Sequence, residues 1–144
     1  KALIRGIEKC RLVAYKPTPS DKWTIGFGHT GPEVVEGLVW TQEQAEQAYR
    51  DDIAWVEDCI NDSVTVPLIQ NEYDALSSLI FNIGCANFNK STLLVKINNL
   101  AMDEAAGCFA DWNKQRNKET GKLEVVNGLT ARRAAEKELF ERSA

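Results

Sequence analysis

The residues with the clearest chemical potential lie near the start of the chain. Glu8 ends an apolar segment, and residues 23–30 (WTIGFGHT) form a strand-like run that contains two glycines. Apolar surroundings favour the neutral form of a carboxyl group and raise its pKa, so the group can hold a proton near neutral pH. Glycines let a backbone approach a substrate closely. A protonated carboxyl group opposite such a strand suits acid-catalysed cleavage of a glycosidic bond.

The composition is that of one domain, in one or two lobes. The chain has 144 residues, of which 44% are hydrophobic and 26% charged, which is enough for a real core. Its net charge of -4 gives no electrostatic reason to expect nucleic acid or anionic lipid as a partner. No run is long enough to span a membrane, and no secretory signal is visible. Since the chain begins at Lys1 rather than Met, we leave open a preceding segment with export information.

The predicted elements follow the order of an α+β protein. Residues 1–9 resemble a short amphipathic helix, and residues 12–40 hold β-like segments joined by turns that contain Pro or Gly. From Thr41 the apolar residues recur at helical spacing to about residue 60, and Thr41 with Gln44 forms a potential capping box. A strongly apolar helix is predicted over 71–84, where Gly84 ends it.

The C-terminal part of the chain is predicted to be mainly helical. We expect two shorter helices over 91–98 and 102–112. An exposed loop or β-turn segment follows over 114–128, and a charged helix over 130–142 closes the chain. We therefore expect one domain over 1–144. It has a small lobe over about 10–40, a linking helix over about 41–60, and a helical lobe over about 61–144 that includes the helix at 1–9. A cleft between two lobes is a usual ligand site.

Three motifs, in the same order along the chain, resemble the phage-type lysozymes of glycoside hydrolase family 24, the endolysins of tailed bacteriophages. They are Glu8 with Tyr15 and the TIGFGHT run, the FNIG run at 81–84, and the GLTARR run at 128–133. The resemblance covers nearly the whole chain. It implies a lysozyme-like α+β fold with an active-site cleft, and hydrolysis of the β-1,4 bond between N-acetylmuramic acid and N-acetylglucosamine in peptidoglycan.

The same resemblance sets the expected partners and location. The substrate would be the glycan strands of peptidoglycan, the chain would act as a monomer, and no cofactor would be needed. The protein would be made in the host bacterial cytoplasm and would act on the wall in the periplasm, by an export route that stays open. Two other functions stay open as well, an inactive module that binds peptidoglycan and a lytic transglycosylase.

The family's catalytic trio is Glu, then Asp or Cys, then Thr, and Glu8 and Thr24 match the first and third members. The family places the second member two residues after the conserved Tyr, where this chain has Pro17. Asp21 is the only acid in the loop and is our assignment for that role, with a solvated turn residue as the alternative. Glu8 would then be the general acid, Thr24 would position a water, and Asp21 would polarise the water or stabilise positive charge on the sugar.

Further site residues follow from the resemblance and from side-chain chemistry. His29 is the single histidine, and in this family the equivalent residue pairs with an acid on the linking helix. We assign Asp51 as that partner, with Asp52 as the alternative, and expect a raised His29 pKa.

Asn82, Arg132 and Arg133 are predicted to line the substrate site. An Asn can bind an N-acetyl group or a hydroxyl, and an Arg can order Glu8 or bind a peptide-stem carboxylate. The alternative is a helix-capping Asn and a solvated Arg face.

The four cysteines are the last group with chemical potential. Their spacing fits no zinc site, and a single histidine argues further against a metal. Four cysteines allow three full pairings. We favour a disulfide between Cys59, at the end of the linking helix, and Cys85, after the core helix. Cys10 and Cys108 would then be unpaired.

Overall fold

The structure is a computed structural model that describes residue 4 and residues 8–142. The chain divides into two compact units, Lys1–Trp55 and Val56–Ala144. The mixture of helices and small two-stranded sheets is the α+β architecture that the sequence predicts. The helix predicted over 1–9 lies mostly outside the described residues.

The first unit is built on a short antiparallel strand pair. Strand β1 (Arg11–Tyr15) pairs with β2 (Thr24–Gly26), with Tyr15 opposite Thr24 and an irregular register between the ends of β1. Ala14 of β1, Ile25 of β2 and Val34 form a small buried core, and Trp23, Leu38 and Trp40 pack against it. These strands confirm the β content expected between residues 12 and 40.

Helix α1 (Gln42–Ser63) begins in the first unit and ends in the second. Its start is the predicted capping box: the Thr41 N–H donates to Gln44 Oε1 at 2.8 Å, and the Gln44 N–H donates to Thr41 Oγ1 at 3.2 Å. Each side chain thereby binds a backbone N–H that has no partner within the helix. The helix that was expected over about 41–60 is therefore confirmed.

The second unit is a group of helices with one hairpin. Its elements are α2 (Gln70–Ile83), α3 (Cys85–Asn89), α4 (Thr92–Asn98), α5 (Met102–Cys108), a 3-10 turn (Phe109–Trp112), β3 (Lys114–Arg116), β4 (Leu123–Val125) and α6 (Asn127–Glu141). The apolar face of α2 is buried at the centre of the core, with Leu76, Leu79 and Ile80 against residues that include Phe88, Phe109 and Phe140. Gly84 ends α2 with a φ of 87°.

Three details of this unit differ from the sequence prediction. Helix α3 was not expected, the helix predicted over 102–112 finishes as a 3-10 turn, and the segment 114–128 contains an antiparallel hairpin. Cys59 and Cys85 form a disulfide, which is the pairing that the sequence favoured. Cys10 and Cys108 are free thiols. Among the described residues, no helix combines the length and apolar character needed to cross a bilayer.

Candidate active site

The carboxyl group of Glu8 lies against the backbone of Gly28. The Glu8 N–H donates to the Ile4 carbonyl at 2.7 Å, as in a helical turn. A Cβ atom placed on Gly28 would lie 2.6 Å from Glu8 Oε2, and the φ of Gly28 is +75°. Any other residue would be strained by that backbone angle and would collide with the carboxyl group. The glycine run therefore leaves the space in which the predicted acid sits.

The pKa of Tyr15 responds to both of the predicted catalytic carboxyl groups. Tyr15 lies opposite Thr24 in the strand pair. Burial raises the pKa of the Tyr15 phenol, the negative charges of Glu8 and Asp21 raise it further, and the positive charge of Arg11 opposes them. Glu8 and Asp21 thus both act electrostatically on one ring, and Thr24 is the cross-strand neighbour of that ring.

Local hydrogen bonds fix Asp21 and Thr24. The Thr18 hydroxyl donates to Asp21 Oδ2 at 2.9 Å, and the Asp21 N–H donates to the Thr18 carbonyl at 3.0 Å. The buried Thr24 hydroxyl donates to the Lys22 carbonyl at 3.0 Å. Since its proton is directed to that carbonyl, the Thr24 oxygen has lone pairs to accept a hydrogen bond from a water.

His29 lies between two carboxylates in the same unit. Its Nδ1 is 2.8 Å from Asp52 Oδ2, and its Nε2 is 2.7 Å from Glu33 Oε1. These bonds raise the pKa of His29 from 6.5 to about 9, with the Asp52 hydrogen bond as the main cause and burial opposing it. His29 is therefore a cation at neutral pH, which confirms the expected direction of its pKa.

The raised pKa of His29 makes its pairing pH-dependent. A pKa of about 9 against 6.5 corresponds to about 3 kcal/mol of stabilisation. We discount this to about 2 kcal/mol, because the Glu33 side chain is 56% exposed and His29 itself 20% exposed. The stabilisation is complete below pH 6.5 and is lost as the pH rises through about 9.

The assignment of Asp51 as the histidine partner is wrong, and Asp52 takes that place. Successive helical residues point about 100° apart, so only one of the two can face His29. Asp51 is exposed and accepts a hydrogen bond from Gln47 Nε2 at 2.9 Å. Asp52 is buried, and its second oxygen accepts from Trp55 Nε1 at 2.9 Å.

The other predicted site residues lie in the second unit, around a buried ion pair. Arg133 Nε is 2.6 Å from Glu136 Oε1, and both side chains are fully buried. The Ser78 hydroxyl donates to Glu136 Oε2. Arg133 Nη1 donates to Asn82 Oδ1 at 2.9 Å, and Arg132 Nη2 donates to the Ser78 carbonyl at 3.1 Å. Asn82, Arg132 and Arg133 are thus brought together, as partners of one network.

This network changes the interpretation of the two arginines. Arg133 is 1% exposed and its charge is paired with Glu136, so the prediction that it contacts substrate directly is wrong in this structure. Asn82 is exposed, and its amide oxygen accepts a hydrogen bond from Arg133. A contact between the Asn82 amide nitrogen and the substrate therefore stays a prediction. A direct contact between Arg132 and the substrate also stays a prediction.

Sequence reasoning missed Glu33, Glu136 and Ser78. The spacing of Arg133 to Glu136 is one at which helical side chains can meet, and it was the available signal for Glu136. Glu33 gave no such signal, because His29 and Glu33 lie outside the helices. Ser78 gave none, because its partner is distant in the chain. In the part of the chain that the structure describes, no cluster of three His, Cys, Asp or Glu residues could hold a metal ion.

Comparison with known proteins gives the family. The Phage lysozyme family model matches residues 5–136. An endolysin of Acyrthosiphon pisum secondary endosymbiont phage 1 is 47% identical over 139 residues, which are 96% of this chain and 92% of that protein.

Two solved structures are similar over almost the same extent. The muramidase domain of SpmX from Asticaccaulis excentricus is 36% identical with a TM-score of 0.82, over 99% of this chain and 94% of that one. An endolysin from Escherichia coli O157:H7 phage FAHEc1 is 33% identical with a TM-score of 0.84, over 98% of this chain and 89% of that one. The fold is thus lysozyme-like, and the chain belongs to the phage lysozyme family.

Proposed function

We propose that this chain is a glycoside hydrolase that cleaves the β-1,4 bond between N-acetylmuramic acid and N-acetylglucosamine in bacterial peptidoglycan, and so lyses bacterial cells. The observation that carries the proposal is the placement of the Glu8 carboxyl group on the backbone of Gly28. Similarity to endolysins and to a muramidase domain supports the same substrate class.

Three side chains divide the proposed chemistry. Glu8 donates its proton to the glycosidic oxygen as the bond breaks. Thr24, whose proton is directed to the Lys22 carbonyl, accepts a hydrogen bond from the attacking water and orients it. Asp21, fixed by Thr18, stabilises the positive charge that develops on the sugar or polarises the water. Asn82 is the proposed contact for an N-acetyl group or a hydroxyl.

The location follows from the substrate. Peptidoglycan lies outside the cytoplasmic membrane, so a protein made in the host cytoplasm must be exported to act on it. We propose that the chain acts in the periplasm as a monomer, on the glycan strands of the wall.

The decisive experiment is mass spectrometry of the products from purified peptidoglycan. Wild type should release muropeptides that end in reducing N-acetylmuramic acid, and Glu8→Gln should release none above background. Glu36→Gln is a matched control, because Glu36 is an exposed acid of the same unit. Equal product from wild type and Glu8→Gln would remove Glu8 from its role. Anhydro-muropeptides would identify a lytic transglycosylase instead.

A second function is favoured by Pro17, which stands where the family has its second catalytic residue. A chain without that residue could bind the wall without cleaving it. In the same digestion, Asp21→Asn should then be compared with wild type. A strong loss of product in Asp21→Asn supports its role in hydrolysis. No product from wild type, together with co-sedimentation of the protein with peptidoglycan, would identify the binding module.

A further inference from the structure

The hairpin of β3 and β4 has one face that combines cations with aliphatic side chains. Its register places Lys114 opposite Val125 and Arg116 opposite Leu123. Directly opposed residues share a face of an antiparallel pair, and side chains two residues apart in a strand also share a face. These four residues therefore form a single surface, which we call the basic face.

The basic face is exposed and carries the opposite charge to the protein as a whole. Leu123 is 58% exposed and Val125 57% exposed. Residues 114–125 contain four basic and two acidic residues, in a chain with a net charge of -4. Glu124 lies on the opposite face of the hairpin, where its carboxylate accepts a hydrogen bond from Asn117 Nδ2 at 3.3 Å.

The hairpin is held by its own hydrogen bonds. The Asn117 side chain accepts from the Glu119 N–H at 2.8 Å in the turn, and the Arg116 guanidinium donates to the Gly121 carbonyl. At the base, the Val126 N–H donates to the Asn113 carbonyl at 2.9 Å, which continues the ladder to the start of α6. A face that is already ordered loses little conformational entropy when it binds a ligand.

We propose that the basic face binds the peptide stems of peptidoglycan. Lys114 and Arg116 are two residues apart in a strand, about 7 Å, which is also the spacing of alternate residues in an extended peptide. They can therefore pair with carboxylates at alternate stem positions, and Leu123 and Val125 can cover the methyl groups of alanine residues. The proposal rests on the proposed function, because it assigns a second contact on the same substrate.

The charge distribution favours a stem peptide over an anionic lipid surface. Charges in physiological salt are screened beyond about 8 Å, so a small ligand on the hairpin senses mainly the local cations. An extended anionic membrane faces much more of the protein, and outside the hairpin the chain is more acidic than its net charge of -4.

The test compares two substrates, intact peptidoglycan and glycan strands from which an amidase has removed the peptides. The double variant Lys114→Gln with Val125→Thr removes one cation and one aliphatic side chain from the basic face. Lys122→Gln is the matched control: it removes a cation of the same hairpin, next to Leu123 in the chain and so on the other face. We expect the double variant to raise KM on intact peptidoglycan about five- to tenfold with kcat unchanged, and to leave the peptide-free reaction unchanged.

Each other outcome has a distinct meaning. An equal loss on both substrates, or no loss on either, overturns the proposal. A loss in Lys122→Gln as large as in the double variant also overturns it, because charge alone would then explain the effect. Co-sedimentation with phosphatidylglycerol vesicles that depends on Lys114 would assign the face to lipid instead. If wild type cleaves neither substrate, the proposed function itself fails.

Discussion

Replacing Gly28 by alanine tests the close approach between the glycine run and Glu8. An added Cβ would lie 2.6 Å from Glu8 Oε2, whereas ordinary contact begins at 3.4 Å, so the carboxyl group must move by about 0.8 Å. A displacement of about 1 Å in a reacting group can lower a rate about 100-fold. The φ of +75° at Gly28 adds about 1–2 kcal/mol of backbone strain to the folded state.

Gly37→Ala separates these two effects. Gly37 has a φ of +87° but no atom within 4 Å of an added Cβ. Both variants should therefore lose about 1–2 kcal/mol in free energy of unfolding, measured by urea denaturation. Only Gly28→Ala should lose about 100-fold in the initial rate of muropeptide release, measured at a temperature where both are folded. Equal rates in the two variants would refute the argument that Gly28 makes room for the carboxyl group that we propose as the general acid.

Three further predictions concern stability. His29→Gln should lower the free energy of unfolding, measured by urea denaturation, by about 2 kcal/mol at pH 6. The difference from wild type should shrink as the pH rises through about 9. An equal loss at pH 6 and pH 10 would contradict the ion-pair explanation. Reduction of the disulfide between Cys59 and Cys85, which are 26 residues apart, should cost about 3 kcal/mol, and alkylation of the unreduced, unfolded protein should label only the other two thiols. Glu136→Gln should lower the free energy of unfolding in urea by about 3 kcal/mol, because it leaves Arg133 buried without its counter-charge. Adding Arg133→Met should restore much of that loss. No recovery would show that packing is responsible instead.

The parts of the fold that could be predicted are those set by nearby residues. The capping box of Thr41 and Gln44 uses atoms three positions apart, so the sequence alone locates the start of α1. Helix α2 was predictable because its apolar residues recur at helical spacing and Gly84 follows its last turn. Helix α3 was missed because five residues are too few to show a period.

The parts that could not be predicted depend on contacts between distant residues. The pairing of His29 is a partial exception, because helical spacing from Tyr49 and Val56 places Asp52, and not Asp51, on the buried face of α1; our assignment of Asp51 did not use that signal. Arg133, in contrast, carries a charge that usually stays in solvent. Its burial depends on Glu136, which is near in sequence, and on Asn82, which belongs to another helix.

The loop between Pro17 and Thr24 gives a physical reason for our proposal that Asp21 takes the second catalytic position in this chain. Stabilising a developing positive charge depends on distance and dielectric environment, and either can be met from more than one point on a loop. Here the turn from Thr18 to Asp21 closes through a backbone and a side-chain hydrogen bond, and the resulting carboxylate acts on Tyr15, as Glu8 does. A motif search that fixes the acid two residues after Tyr15 finds only Pro17. The hydrogen bonds that fix the Asp21 carboxylate, together with its effect on Tyr15, support our proposal that Asp21 takes this role.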